Sequence, residues 1–163
     1  SYVGGIFTSR IGMDGRQNFT YGVDGIFRLF GDDYLNVKWA QSYDTDTDGK
    51  LTSLDPSFFL FKWERRSEEG FAYDVDYSYA GTRFNPGIGF IRRNGIHGGT
   101  VRLLYGWIPG EQSKLFNYNI SVRGDRYNRI EDGGLESMEI SPSCWSPRPR
   151  SWVRIGRWRR STT

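Results

Sequence analysis

Histidine and cysteine are nearly missing from this chain of 163 residues: His97 is its single histidine and Cys144 its single cysteine. That excludes a disulfide within the chain and a metal centre built on several imidazoles or thiolates. It also leaves no Ser/His/Asp triad with more than a chance basis. Long apolar runs are missing too. No stretch approaches the ~18 consecutive apolar residues that a transmembrane helix needs, so spanning by helices is excluded. The chain opens Ser1-Tyr2-Val3-Gly4-Gly5, with neither an initiator Met nor a basic segment followed by an apolar one, as expected of an internal piece of a longer protein.

Acidic residues stop at Glu139, while Arg148, Arg150, Arg154, Arg157, Arg159 and Arg160 all lie beyond it. Taking those six from the 22 Lys and Arg leaves 16 against 19 Asp and Glu, so the body carries −3 although the whole chain carries +3. A nucleic-acid partner argued from net charge would rest on the tail alone, and none is expected.

Aromatic residues and glycine are plentiful, at 17% and 21 residues, a balance that suits strands and turns. The clearest ribbon is Phe71 to Ala80, where Phe71, Tyr73, Val75, Tyr77 and Tyr79 alternate with Ala72, Asp74, Asp76, Ser78 and Ala80. Successive side chains of a strand point to opposite faces, so one face is aromatic and the other polar. A helix would scatter the same rings around its circumference. Similar alternation marks Tyr2 to Arg10, Asn18 to Phe30, Tyr34 to Tyr43, Ser57 to Arg66, Thr100 to Trp107 and Leu115 to Asp125, with a less regular ribbon from Gly134 to Ser141.

The fold expected is all-β, an antiparallel up-and-down meander of about eight long strands. Strands of soluble domains average ~5–6 residues, whereas membrane-crossing strands need ~9–11, so these lengths favour part or all of an outer-membrane-type β-barrel. Charges at strand midpoints (Asp24, Lys38, Asp74, Asp76 and Arg102) suit a polar interior, and Trp39, Trp63 and Trp107 with the strand tyrosines suit interfacial girdles. The same pattern also describes a soluble β-sandwich that binds carbohydrate on exposed rings, or a fragment of a glycan-active hydrolase.

Residues 82–93 read Thr-Arg-Phe-Asn-Pro-Gly-Ile-Gly-Phe-Ile-Arg-Arg. This resembles the Phe-Asn-Pro-x-x-Gly-Phe-[Ile/Val]-x-Arg signature of a large uncharacterised bacterial family. Its members join an N-terminal domain like the family-nine carbohydrate-binding modules to a C-terminal outer-membrane β-barrel. The ribbons at 21–42 and 71–79 resemble preceding barrel strands of the same family. The resemblance covers residues 2 to about 141. It implies a barrel segment at the bacterial outer membrane, with lipid as its surroundings and glycan as a partner of the domain this chain lacks. It implies no catalysis in this chain and carries over no functional residues.

From 142 to 163 the pattern changes to a basic, Trp- and Arg-rich tail, so the chain divides into a barrel segment, 1–141, and this remainder. The tail reads as a non-native frameshift product from about Cys144, or as disordered. The alternative is a basic Trp-rich segment for anionic lipid or nucleic acid.

Two acidic groups carry chemistry by spacing. Asp44, Asp46, Asp48 and Asp55 occupy positions one, three, five and twelve of a calcium loop, with Gly49 at six and Leu51 at eight. Ca²⁺ is therefore the one metal the sequence suggests, set against a plain solvated hairpin loop, because strands flank it and Pro56 follows at once. Asp74 and Asp76 lie two apart on one strand face, which resembles a glycosidase pair. Strict alternation already explains that spacing as a polar lining balanced by Lys62 or Arg102.

Overall fold

The computed structural model describes residues 1–45, 53–87, 93–110, 117–145 and, as a short strand, 158–160. The strands are β1 (Tyr2–Ile11), β2 (Gln17–Arg28), β3 (Asp33–Asp44), β4 (Ser57–Arg65), β5 (Gly70–Ala80), β6 (Ile96–Trp107), β7 (Tyr118–Arg129), β8 (Leu135–Trp145) and β9 (Trp158–Arg160). They form one antiparallel sheet in sequence order, and no helix occurs among the described residues. The all-β meander of eight long strands is thus as the alternation predicts. The first eight strands run from 9 to 12 residues.

Register makes the sheet oblique. The row of paired residues that leaves β1 at Val3 passes through Gly25, Val37, Phe61, Tyr77, Gly99 and Arg126 to Met138. Val3 lies beside the start of β1, at one rim, while Met138 lies near the start of β8, at the opposite rim. A steady stagger of this kind is what a tilted barrel wall requires. A bulge at Tyr127/Asn128 adds one residue to β8 in this region.

Pairing carries the alternation across all eight strands, so the sheet has one polar and one apolar face. Thr20 pairs with Ser42, Asp24 with Lys38, Lys62 with Asp76, Asp74 with Arg102, and Asp125 with Glu139. The other face places Val23 beside Trp39, Phe61 beside Tyr77, Val75 beside Val101 and Leu103 beside Val122.

Burial runs opposite to the habit of a soluble domain. Thr100 is 5% exposed and Ser121 6%, whereas their apolar neighbours Val101 and Val122 are 47% and 42% exposed. A hollow of about 570 Å³ lies on the polar face, lined by Phe58, Ser78, Arg123, Tyr127 and Glu139 among others. The sheet therefore curls around its polar side. Substantial contacts run only between neighbouring strands, and no second layer covers the apolar face among the described residues. β1 pairs with β2 alone, and the far side of β8 is paired only at Met138–Ile140, so both ends of the sheet are open among these residues.

β8 continues through Pro142, Ser143 and Cys144 to Trp145, with Ser143 Oγ 2.7 Å from Ser121 Oγ. A proline inside a strand fits this position, because beyond Ile140 β8 is an edge among the described residues.

Candidate functional site

The strand ends at Ile11 and Gln17, Asp44 and Ser57, Ala80 and Ile96, and Arg129 and Leu135 share one rim, and those at Arg28 and Asp33, Arg65 and Gly70, and Trp107 and Tyr118 share the other. The first rim carries the most elaborate polar arrangement in the described structure.

It is built by the segment that follows β5. Alternation ends at Ala80, and the chain turns inward over the polar face instead of continuing outward. Phe84, 5% exposed, stacks on Phe58 with ring centroids 5.9 Å apart. Phe58 lies on the polar face, in register with Ala80 and Ala40. Asn85 is the hub. Its backbone N–H donates to Ser42 Oγ (2.9 Å), its carbonyl accepts from Asn18 Nδ2 (3.0 Å), and its own Nδ2 donates to Asp44 Oδ2 (3.2 Å). Ser42 is held in turn by donating its backbone N–H to the Pro56 carbonyl. Asn94 Nδ2 donates to the Phe84 carbonyl at 2.7 Å and closes the segment from its far end.

Two glycines make this approach possible. A Cβ on Gly81 would overlap the Asp55 carbonyl oxygen, and one on Gly87 would overlap the Asn18 side chain, at a positive φ of 46°. Beside the hub lies a polar hollow of about 300 Å³ whose lining includes Arg10, Asp14, Arg16, Asn18, Asp44 and Asn85.

Two of the four calcium ligands suggested by the sequence, Asp44 and Asp55, fall at this rim. Asp44 Oδ2 accepts from Asn18 and Asn85, and the Asp55 carboxylate lies 2.9 Å from Arg83 Nη2. Asp46 and Asp48 lie outside the described residues. Among the described residues, no group of three or more His, Cys, Asp or Glu side chains is placed to hold a metal ion. Through these contacts with Asn85 and Arg83, the two described acids hold the segment after β5.

On the lining itself, Asp74 Oδ2 lies 2.9 Å from Lys62 Nζ, which also lies 2.8 Å from Glu64 Oε2. Lys62 thus supplies the balancing charge expected of it, while Arg102 neighbours Asp74 in register. Arg123 Nε lies 3.8 Å from Asp125 Oδ1, so the lining alternates in sign along several strands. At the other rim, Asp33 is fully buried. It receives Arg65 Nε (3.2 Å), Arg65 Nη2 (3.1 Å) and the Tyr73 hydroxyl (2.8 Å). Tyr73 packs edge-on against Trp63, and Trp107 stacks on Tyr118 at 5.1 Å, so this rim bears a band of rings on the apolar face.

Sequence reading missed both the Asn85 hub and the Asp33 clamp. The only signal for the first was an apolar Phe84 in a Gly/Pro/Asn connection. Nothing signalled the second, because Asp33 and Arg65 meet only through the β3–β4 register.

The chain was compared with models of protein families, with curated proteins and with solved structures, and none matches it.

Proposed function

We propose that this chain is a wall segment of an outer-membrane β-barrel, its apolar face toward lipid and its polar face around an aqueous interior, with further strands completing its open edges. One observation carries the reading: the apolar face is the exposed face, and small polar side chains fill the sheltered one. In water a continuous apolar face without a second layer is unfavourable at roughly 25 cal/mol per Å², whereas in hydrocarbon it costs nothing. Strands of 9 to 12 residues match the length needed to cross with tilt. Rings at strand ends, with Val75 and Val101 between them, resemble the girdles of membrane barrels. The Phe84 to Arg93 resemblance points the same way. The lining bears paired charges and polar groups, which suits passage or display of polar solutes, glycans among them, and no chemistry.

Reconstitution in brominated phospholipid tests this directly. Tryptophans 39, 63 and 107 lie on the lipid-facing side, so their fluorescence should be quenched, and the protein should leave membranes only with detergent. A monodisperse protein in plain buffer, with unquenched tryptophans when lipid is added, refutes it.

A further inference from the structure

We propose that the Phe84–Asn85–Pro86 segment is a fixed constriction of the polar interior, held in place by Asn85, so that this mouth admits small polar solutes and holds back large ones. The inference rests on the barrel reading and adds to it a residue that sets what can pass.

Three observations support it. The segment lies inside the curve of the sheet: Phe84 packs on Phe58, and the strand partners of Asn85, namely Asn18, Ser42 and Asp44, belong to the polar face. Asn18 pairs with Asp44, and Thr20 with Ser42, on that face. Next, it is tethered at several independent points. Asn85 binds three residues on two strands, Arg83 pairs with Asp55, and the Gly81 N–H donates to the Ser57 carbonyl. Backbone held by so many directional contacts stays folded inward instead of moving as a free loop. Lastly, the hollow of about 300 Å³ beside it carries both signs of charge, with Arg10 and Arg16 against Asp14 and Asp44. Side chains of mixed sign around a narrow opening favour hydrated, compact, uncharged or zwitterionic solutes over large or apolar ones.

The test uses protein expressed from its complete gene and inserted into planar phospholipid bilayers, comparing the parent with the triple variant Asn18→Ala/Ser42→Ala/Asn85→Ala, which removes one side of each of the three strand contacts. Releasing the tether should raise single-channel conductance roughly twofold or more, because current follows the narrowest cross-section. In liposome swelling it should also admit longer malto-oligosaccharides. Asn85→Ala alone removes the bond to Asp44 and keeps both backbone bonds, so it should shift both readouts the same way by less, and it decides the matter if the triple variant does not insert. Parent and variants that insert with equal conductance and equal size limits overturn the constriction and leave the barrel reading intact. A parent that does not insert overturns both.

Discussion

Replacing Val101 by arginine separates a lipid-facing wall from a soluble sheet more sharply than any change at a rim. Val101 sits midway along β6, between Ile96 and Trp107, on the apolar face, 47% exposed and in register with Val75 and Gly124. At ~3.4 Å per residue and a tilt of ~45°, it lies about 12–14 Å in depth from either end, the centre of an apolar band ~25 Å tall. An arginine there costs about 2–4 kcal/mol when the face meets hydrocarbon. That is a roughly 30- to 900-fold loss in the folded-to-unfolded ratio. His97→Arg on the same face, at the end of the strand, should cost only about 0–1 kcal/mol. The measurement is reversible denaturant unfolding in phospholipid vesicles, followed by tryptophan fluorescence. For a sheet whose apolar face meets water, Val101→Arg is a surface change worth about 0.5 kcal/mol or less. Equal, small costs at positions 97 and 101 would therefore refute the assignment of this face to lipid.

Other substitutions probe the remaining arrangements. Asp33→Ala removes the buried acceptor of Arg65 and Tyr73 and should cost about 1–3 kcal/mol. The lower part of that range applies if Arg65, whose side chain is 42% exposed, regains water. A double-mutant cycle with Arg65→Ala should show coupling of about 1 kcal/mol or more, and additive losses would mean the clamp is not energetically real. Gly81→Ala forces a methyl onto the Asp55 carbonyl and should cost about 1–3 kcal/mol, read as a lowered unfolding temperature; an unchanged value refutes the close approach. In the turn between β7 and β8, Arg129 and the Gly134 N–H hold the Asp132 carboxyl down to about 2. Its folded value lies below its unfolded one, so its stabilisation is present above pH ~4 and disappears as pH falls toward 2. NMR titration of Asp132 should end well below that of an ordinary aspartate, and Arg129→Ala should move it up toward the ordinary range, the Gly134 N–H still holding part of the shift.

Where side chains alternate, the sequence revealed both the strand and its faces. Phe71 to Ala80 differs from β5 by one residue, and Tyr34 to Tyr43 from β3 by one at each end. Boundaries blurred where the signal has no carrier. β6 begins at Ile96 and not Thr100, because Gly98 and Gly99 have no side chains to alternate. β7 runs on to Arg129 past Asp125, because Arg126-Tyr127-Asn128-Arg129 is polar on both faces while its backbone stays paired. The rim was harder still. Asn18, Ser42 and Asn85 are separated by up to 67 residues, and none is unusual in its local context. They converge only once β2, β3 and β5 have their register. Asp44 and Asp55, grouped by local spacing, each meet nitrogen donors at the rim, while Asp46 and Asp48 between them lie outside the described residues.

Faces and edges together make demands that conflict in water and agree in a bilayer. In water the apolar face needs a cover, the polar interior gains nothing from being enclosed, and the open edges of β1 and β8 invite indiscriminate pairing. In hydrocarbon the face needs no cover, but every unpaired edge N–H and C=O costs several kcal/mol, which forces the wall to close on further strands. In the proposed closed barrel, the sheltered row of Thr20, Ser42, Thr100 and Ser121 would change from a groove into a channel lining. The same closure would make the inward fold at Asn85 the obstruction across one mouth that we propose.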